Sequence, residues 1–266
     1  MNIILTGADG NLGRRIQENA TFEYLPVSRG DWELYEKIAQ SEYQAVIHCA
    51  YDLKNSINER PEIVLESNII STARALELCT EKKIPKFIFI SSCSVYGDSS
   101  NSAEDKQCNP ISMNGFTKLF NEELIKSFCD ANAINYLILR VFNSYGGDDK
   151  FSVVQKMISC ARNKKPFTII DDGVSERDFI HVNDVAKIVC ALAQMSLTRE
   201  IINVGSGTSV RIIDLLKAIE TKFGKISVIN QNSHGEIVYS RANIKKLKNL
   251  FNLQVLDIFD FIRDLT

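Results

Sequence analysis

Three glycines near the start of the chain have the spacing of a phosphate-binding turn. They form G-x-x-G-x-x-G in the stretch LTGADGNLGRR, between a short apolar run and the first helical pattern. Glycine lets the backbone turn tightly and approach a pyrophosphate, whose charge the N–H groups at a helix N-terminus stabilise. A plain strand-to-helix turn is the alternative, but this position favours dinucleotide binding. The candidate cofactor residues of this turn are Gly7, Gly10, Asn11, Leu12, Gly13 and Arg14.

The residues after the second apolar run indicate which dinucleotide binds. Proteins that bind NAD usually place a carboxylate there for the ribose 2′-hydroxyl, whereas this chain has Ser28 and Arg29. The guanidinium groups of Arg29 and of Arg14 suit a 2′-phosphate, so we expect NADP(H) in preference to NAD(H). The alternative is that Arg29 is a solvated loop residue. Asp31 and Trp32 are expected to border the adenine.

Strands and helices alternate through the first half of the chain and would position these residues. Strands are expected over 2–6, 23–27, 45–50, 86–92 and 135–142, and helices over 11–20, 61–83 and 114–132. In the last of these helices, apolar residues recur at helical spacing. Such alternation predicts an α/β fold in which helices cover both faces of a parallel sheet.

The pattern changes after about residue 145 to shorter, mixed elements. Helices are expected over 182–195 and 211–223, and a strand over 199–205. We interpret residues 146–180 and 206–266 as a smaller lobe. Residues 1–145, joined by about 181–205, would then form the domain that contains the large sheet.

Composition excludes several classes of protein. The 266 residues are 45% hydrophobic and 24% charged, which is ordinary for a globular protein. The net charge of −2 gives no electrostatic reason to bind nucleic acid or a membrane surface. The sequence shows neither a signal peptide nor an apolar run of membrane length.

The seven cysteines are widely spread and include no C-x-x-C pair. Disulfide frameworks and zinc sites need clustered cysteines, so we expect no metal site. Reduced thiols that pack as small hydrophobic groups are the better interpretation. We therefore expect a cytoplasmic protein.

Several segments agree in order and spacing with one family. The matching segments are TGADGNLG, VIHCAYD, Asn68, FIFISSCSVYG, NGFTK, LRVFNSYG and RDFIHVNDVA. Together they resemble the extended short-chain dehydrogenase/reductases, a group of NAD(P)-dependent nucleotide-sugar epimerases, dehydratases and reductases. They run from residue 6 to about residue 207 and are specific as a set. The resemblance implies a doubly wound Rossmann domain for the cofactor and a C-terminal lobe for a nucleoside-diphosphate sugar.

The resemblance assigns further residues to the cofactor. HCAY resembles a stretch whose backbone lies along the dinucleotide, which adds Cys49, Ala50 and Tyr51. Asn68 falls where a helix asparagine steadies that stretch. Lys118 matches the lysine that holds the nicotinamide ribose and biases nearby pKa values.

The resemblance also assigns residues to the substrate. Ser92, which follows the candidate cofactor residue Ser91, occupies the catalytic serine/threonine position that hydrogen-bonds the reacting sugar oxygen. Asn143 matches a residue that faces the sugar nucleotide. Arg177 matches one that pairs with the diphosphate, and Arg241 is a further candidate. Each residue alone has a structural alternative, such as a salt-bridged arginine, but the ordered set favours function.

The residues after Ser92 differ from those of one branch of the family. The 4,6-dehydratases have an Asp–Glu pair there for acid–base work on the sugar, whereas this chain has Cys93 and Ser94. A thiol and a hydroxyl do not readily replace two carboxylates near neutral pH. We therefore expect the protein not to be a 4,6-dehydratase.

A second departure lies at the proton-transferring tyrosine. The family's Y-x-x-x-K becomes N-G-F-T-K, with Asn114 in the tyrosine position, and Met113 would be rotated about 100° around a helix. An asparagine amide donates hydrogen bonds but does not titrate. Reduction of a ketone needs a proton from any donor, whereas oxidation of an alcohol needs a base and epimerisation needs both. Asn114 therefore favours a reductase, with Ser92, Asn114 and Lys118 as catalytic residues.

Three functions compete on this evidence. The first is an NADP(H)-dependent reductase of a 4-keto nucleoside-diphosphate sugar, in the synthesis of deoxysugars for surface polysaccharides. The second is a nucleotide-sugar epimerase in which another group replaces the tyrosine. The third is a dinucleotide- or sugar-nucleotide-binding protein without catalysis, which the intact Ser92 and Lys118 disfavour.

Many members of the family form homodimers through two helices of each subunit. The candidates here are helices 61–83 and 114–132. Their apolar residues have an alternative role, which is to cover the sheet. We expect a homodimer.

Overall fold

The strands and helices are defined by a computed structural model that describes residues 1–28, 31, 33, 36–55, 58–232, 237–250, 252 and 254–266. The strands are β1 (Asn2–Thr6), β2 (Glu23–Val27), β3 (Ala45–His48), β4 (Lys86–Ser92), β5 (Ser99–Ser102), β6 (Asn135–Val141), β7 (Asn143–Tyr145), β8 (Phe167–Ile170), β9 (Glu176–His181), β10 (Glu200–Val204), β11 (Ser209–Arg211), β12 (Val228–Gln231) and β13 (Tyr239–Ala242). The helices are α1 (Asn11–Asn19), α2 (Pro61–Leu65), α3 (Ser71–Glu81), α4 (Met113–Ala131), α5 (Val153–Asn163), α6 (Val182–Gln194), α7 (Ile212–Phe223), α8 (Lys245–Leu250) and α9 (Ile258–Asp264).

Six parallel strands form the large sheet, in the order β10-β6-β4-β3-β1-β2. After β1 the chain adds β2 on one side, and then adds β3, β4, β6 and β10 on the other. The order therefore reverses between β1 and β3. Loops diverge at such a point, which opens a crevice beyond the carboxyl ends of the strands.

Alternating side chains of the strands supply two hydrophobic cores. In β1, Ile3 and Leu5 belong to one core, with Ile16 of α1 and Val189 of α6. Ile4 points to the opposite face, into the core that contains apolar residues of α3 and α4. Because side chains of a strand alternate between faces, this pattern holds one helical layer on each side of the sheet.

A second sheet and a third hydrophobic core lie beside the large sheet. The strand order of the second sheet is β11-β9-β13-β5, and β7 also pairs with β9. Strands β12 and β8 form a separate pair. Apolar residues of α5, α7 and α9 pack into the third core. β5 lies early in the chain, yet it pairs with β13 of this second sheet.

The predicted α/β fold with a parallel, doubly covered sheet is confirmed. The expected strands and helices are present, and their ends differ by at most two residues from those expected. A π-helical turn, Glu66–Ile70, interrupts the expected helix over 61–83. The short strands of the second sheet were not predicted, because three- and four-residue strands carry little periodicity. Within the described residues, no helix is both long and apolar enough to cross a membrane.

Candidate active site

The glycine turn lies between β1 and α1, where close packing excludes larger side chains. Gly7 has a φ of +70°, and a Cβ atom there would lie 2.6 Å from the Ala50 backbone nitrogen. A Cβ atom on Gly13 would overlap the Gly7 carbonyl oxygen. α1 begins after Gly10 without a side-chain cap, so the N–H groups of its first turn remain for a ligand. This cradle fits the pyrophosphate of a dinucleotide.

Two cavities meet at the glycine turn. The first has a volume of about 590 Å³ and is lined by the glycine turn and by the ends of β4 and β6. The second, of about 790 Å³, extends past the end of β2 toward the π-helical turn. Both are lined by Gly7, Gly10, Cys49, Tyr51 and Lys54. The pair provides room for an extended ligand that crosses the turn.

Two predicted cofactor residues of α1 bind a loop of the second half of the chain. The Asn11 side chain donates to the Gly146 carbonyl at 3.0 Å and accepts from the Asp148 N–H at 2.8 Å. The Arg14 guanidinium pairs with the Asp148 carboxylate at 3.1 Å and also donates to the Asp9 carbonyl. Both side chains line the first cavity together with Leu12. Arg14 is therefore already engaged by a carboxylate.

The residues after β2 form a turn at the edge of the second cavity. Ser28 lines that cavity, and its N–H donates to the Asp31 carboxylate at 3.1 Å. Asp31 returns a backbone hydrogen bond to the Ser28 carbonyl at 3.2 Å. Arg29 and Trp32, the other two residues predicted for the adenosine end, lie outside the described residues.

The segment after β3 passes between the two cavities and is anchored by Asn68. Cys49, Ala50 and Tyr51 line the second cavity. The Asn68 side chain accepts from the Asp52 N–H at 2.6 Å and donates to the Asp52 carbonyl at 3.2 Å. This two-way contact fixes the path of the segment next to the glycine turn.

The end of β4 brings two serines to the first cavity. The Ser91 hydroxyl donates to the Glu122 carboxylate at 2.5 Å, and Glu122 is itself paired with the buried Arg140 at 2.7 Å. Ser92 accepts two hydrogen bonds from Ser94, from its N–H at 3.2 Å and from its hydroxyl at 2.9 Å. Ser91 is thus tied into the protein interior, and Ser92 lies at the cavity wall.

Asn114 lies in the first turn of α4 and faces the same cavity. The Ser112 hydroxyl accepts from the Gly115 N–H and caps this helix. The Asn114 amide nitrogen donates to the Ser94 hydroxyl at 3.0 Å. Its amide oxygen is buried and has no hydrogen-bond partner within the described part of the chain. The neighbouring Met113 is 53% exposed, which leaves Asn114 as the residue at the tyrosine position.

Lys118 lies one turn further along α4 and is 7% exposed. Its ammonium group donates to the Ile90 carbonyl at 2.7 Å and lies 3.8 Å from the centre of the Tyr51 ring. Burial lowers the pKa of Lys118 to about 7. The Lys118 side chain can therefore exchange a proton near neutral pH, unlike Asn114.

The predicted substrate residues separate into two groups. Asn143 lines the first cavity and donates to the Asp178 carbonyl at 2.9 Å. Arg177 donates to the carbonyls of Ile237 at 2.5 Å and Val238 at 3.3 Å. Arg177 and the exposed Arg241 are outside the described lining of both cavities. The structure brings Ser92, Asn114, Lys118 and Asn143 together at the first cavity, and the charge of Arg177 acts on the thiol of Cys93 in the wall of that cavity.

Sequence reasoning missed other residues at the site. Lys54 lines both cavities, and Asp148, Lys150 and Phe151 line the first. These residues follow no motif, and only the path of their loops brings them to the site. Cys93 also lines the first cavity, and burial raises the pKa of its thiol to about 11. The thiol is therefore protonated at neutral pH.

The fold and the site together define a dinucleotide-binding protein of the Rossmann type. A profile of the NAD dependent epimerase/dehydratase family matches residues 3–205. The chain belongs to this family.

Individual relatives span several activities. UDP-glucuronate 4-epimerase of Thermodesulfobacterium geofontis is 28% identical over 89% of this chain and 76% of the relative. The Escherichia coli dTDP-4-dehydro-6-deoxyglucose reductase is 28% identical over 78% of this chain and 68% of the relative. A solved UDP-glucuronic acid 4-epimerase mutant from Bacillus cereus, in complex with a fluorinated UDP-sugar and NAD, is 26% identical. Its TM-score is 0.86, with coverage of 98% of this chain and 96% of that one.

Proposed function

We propose that the protein is an NADP(H)-dependent reductase of a 4-keto nucleoside-diphosphate sugar, in the synthesis of deoxysugars for surface polysaccharides. The observation that carries this proposal is Asn114, which faces the cavity beside Ser92 without a group that titrates. The reductase among the relatives supports the choice of reaction. A 4,6-dehydratase is disfavoured, because Cys93 and Ser94 stand where such an enzyme has two carboxylates for acid–base work.

The residues of the site would divide the work of reduction. The bound dinucleotide would supply the hydride. The Ser92 hydroxyl would hydrogen-bond the substrate oxygen as negative charge develops on it, and Asn114 would orient this hydroxyl through Ser94. Lys118 would hold the ribose of the cofactor. Water or a neighbouring hydroxyl would supply the proton to the sugar oxygen.

Single-turnover oxidation of NADPH against a panel of 4-keto nucleotide sugars tests this function. We expect turnover in the natural protein, slower turnover in Asn114→Ala and no simple gain in Asn114→Tyr, because the ring would displace the ordered donor. A higher rate in Asn114→Tyr would indicate a weakened form of the usual site. Intact binding without turnover across the panel would contradict the reductase proposal and favour a binding protein.

An epimerase is the second candidate, and Lys118 is the observation that favours it. A lysine whose pKa lies at about 7 can accept a proton near neutral pH and could replace the tyrosine as a base. Several relatives are named as 4-epimerases. An epimerase must regenerate its cofactor in place, so nicotinamide absorbance that survives purification would favour it. An exchangeable cofactor favours the reductase.

The proposed preference for NADP(H) rests on Arg29. Arg14 was also expected to meet the 2′-phosphate, but its guanidinium is paired with the Asp148 carboxylate and donates to the Asp9 carbonyl. The Bacillus cereus relative holds NAD, which supports a nicotinamide dinucleotide as cofactor without supporting the 2′-phosphate. We propose that Arg29 alone gives the preference for NADPH.

We propose that residues 146–180 and 206–266 form the lobe that binds the nucleotide sugar, with 1–145 and about 181–205 as the cofactor domain. Arg177 would pair with the diphosphate after its bonds to the carbonyls of Ile237 and Val238 rearrange, and Arg241 would assist. Calorimetry of Arg177→Ala should show weaker binding of the sugar nucleotide and unchanged binding of the cofactor. Loss of the cofactor alone would refute this assignment.

We also propose a homodimer in the cytoplasm. Met113, Phe116 and Phe120 recur along α4 and are 52–53% exposed. Leu65 at the end of α2 is 45% exposed, and Ile70 in the π-helical turn that contacts α4 is 41% exposed. A stripe of this kind would be buried if α4 packed against α4 of a second copy.

Cell fractionation tests the proposed cytoplasmic location, and recovery of the protein with membranes or in the medium would contradict it.

A further inference from the structure

The two departures from the family pattern, which lie 20 residues apart in sequence, are in contact in the structure. Ser94, in place of a dehydratase carboxylate, accepts a hydrogen bond from Asn114, in place of the tyrosine. Ser94 in turn donates to Ser92 at 2.9 Å. The three side chains form a hydrogen-bonded chain that ends at the wall of the first cavity.

The donors and acceptors of Asn114, Ser94 and Ser92 give this row of hydrogen bonds one direction. A serine oxygen has two lone pairs and one hydrogen. Both acceptor positions of Ser92 are occupied, one by the Ser94 N–H and the other by the Ser94 hydroxyl. The Ser94 hydroxyl cannot donate to Asn114, because the Asn114 amide donates to it. The hydrogen of Ser92 is therefore not shared with Ser94, and its remaining neighbours are the Cys93 sulfur, which is only a weak acceptor, and the cavity.

We propose that Ser94 and Asn114 are positioning residues that hold the Ser92 hydroxyl as a hydrogen-bond donor toward the reacting oxygen of the substrate. This row of hydrogen bonds suits a substrate oxygen that only accepts, such as that of a ketone or of the alkoxide that forms from it. Hydrogen bonds aligned in one direction polarise each other, which strengthens the last donor. This inference rests on the proposed reductase function for the identity of the substrate.

The direction of these hydrogen bonds depends on whether the side chain at position 114 donates or accepts. A carboxylate in place of Asn114 only accepts, so Ser94 would turn its hydrogen toward it. Ser92 could then donate to Ser94 and would no longer be held as a donor toward the cavity. Asn114→Asp, which is nearly the same size, therefore reverses the chain, whereas Asn114→Ala only releases it.

The test measures binding in the presence of NADP+, so that no hydride is transferred. For each protein, the affinity for a 4-keto nucleotide sugar is divided by the affinity for its 4-deoxy analogue, which lacks the oxygen. We expect this ratio to fall about threefold in Asn114→Ala and about tenfold in Asn114→Asp. A merely structural role predicts the opposite order, because aspartate preserves the shape of asparagine. A ratio in Asn114→Asp equal to or above that of Asn114→Ala would overturn the proposal.

Substitutions of Ser94 give a second measurement. Ser94→Ala should lower the ratio about threefold, and Ser94→Thr, which keeps the hydroxyl, should stay within about twofold of the natural protein. Thr221→Ala removes a hydroxyl from α7, which lines neither cavity, and should change nothing. An unchanged ratio in Ser94→Ala would also overturn the proposal. If the ratios behave as expected but NADPH reduces no ketone, the reductase function fails while the donor chain stands.

Discussion

At the scale of single residues, Asn114 stands where the resembled family has a titrating tyrosine, and Lys118 lies one helical turn further on. Asn114 cannot exchange a proton, but it organises Ser94 and Ser92 through hydrogen bonds. Lys118 can exchange one, because burial brings its pKa to about 7. In the proposed reaction, Asn114 would act through the direction of its hydrogen bond and Lys118 through its desolvation.

Arg29 should determine the preference for NADPH. We expect the natural protein to bind NADPH at least about tenfold more tightly than NADH, since charge-assisted bonds contribute about 1.5–3 kcal/mol. Arg29→Ala should remove the preference. Arg14→Ala should leave it within about threefold, because Arg14 is held by Asp148. Fluorescence titration with both cofactors measures the ratios, and equal affinities in the natural protein would refute the prediction.

Lys118 should make the stability of the cofactor-free protein depend on pH. Between about pH 7 and 10.5, the unfolded chain binds the Lys118 proton and the folded chain does not. The free energy of unfolding should therefore rise with pH across this window, by at most about 1.4 kcal/mol per pH unit. This contribution is fully lost below about pH 7.

Lys118→Met removes this titration. The free energy of unfolding of the natural protein should therefore rise relative to that of the variant as the pH increases from about 7 to 10.5. Denaturant unfolding at several pH values measures it. Lys187→Met, at a lysine that is 65% exposed on α6, should run parallel to the natural protein. A difference between Lys118→Met and the natural protein that stays constant with pH would contradict a buried, neutral Lys118.

At the scale of elements, the strand ends and the π-helical turn hold the ligand-binding segments in place. Asn68 lies in that turn, and the Asn121 side chain donates to its carbonyl at 2.6 Å. Its own amide makes both hydrogen bonds to Asp52. Asn68 therefore anchors the described part of the segment that follows β3, beside both cavities.

Asn68→Ala should lower the free energy of unfolding by about 1–3 kcal/mol, since it removes the two hydrogen bonds that this buried side chain makes to the Asp52 backbone. It should also weaken dinucleotide binding, because the anchored segment lines both cavities. Chemical denaturation and cofactor titration measure the two effects. Asn163→Ala, at an exposed asparagine of α5, is the control and should alter neither. Unchanged cofactor affinity in Asn68→Ala would show that the segment needs no anchor.

At the scale of the whole molecule, the exposed stripe of α4 should determine assembly. We expect sedimentation velocity to show a dimer at micromolar concentration. Replacing Phe116 and Phe120 together with aspartate should give a monomer, because charges would be buried in the interface. Phe259→Asp, at a 39% exposed residue of α9, should remain a dimer. A monomeric natural protein would refute the assembly.

The sequence alone determined which segments form the strands and helices of the large sheet and how they follow one another along the chain. Local pattern carries this information, because a buried strand and an amphipathic helix each have their own period. It also determined the glycine turn, whose residues are neighbours in the chain, and the family motifs that assign Ser92 and Lys118. These features depend on residues that lie close together in sequence.

Only the tertiary structure decided how distant polar groups pair. Arg14 meets Asp148 across 134 residues, and Asn114 meets Ser94 across 20, and no periodic pattern encodes either distance. The low pKa of Lys118 likewise arises from burial under Tyr51 and Phe89, which lie on other elements. Such contacts form where strand ends and loops converge after the sheet assembles. Their partners, distances and directions are therefore properties of the packed molecule.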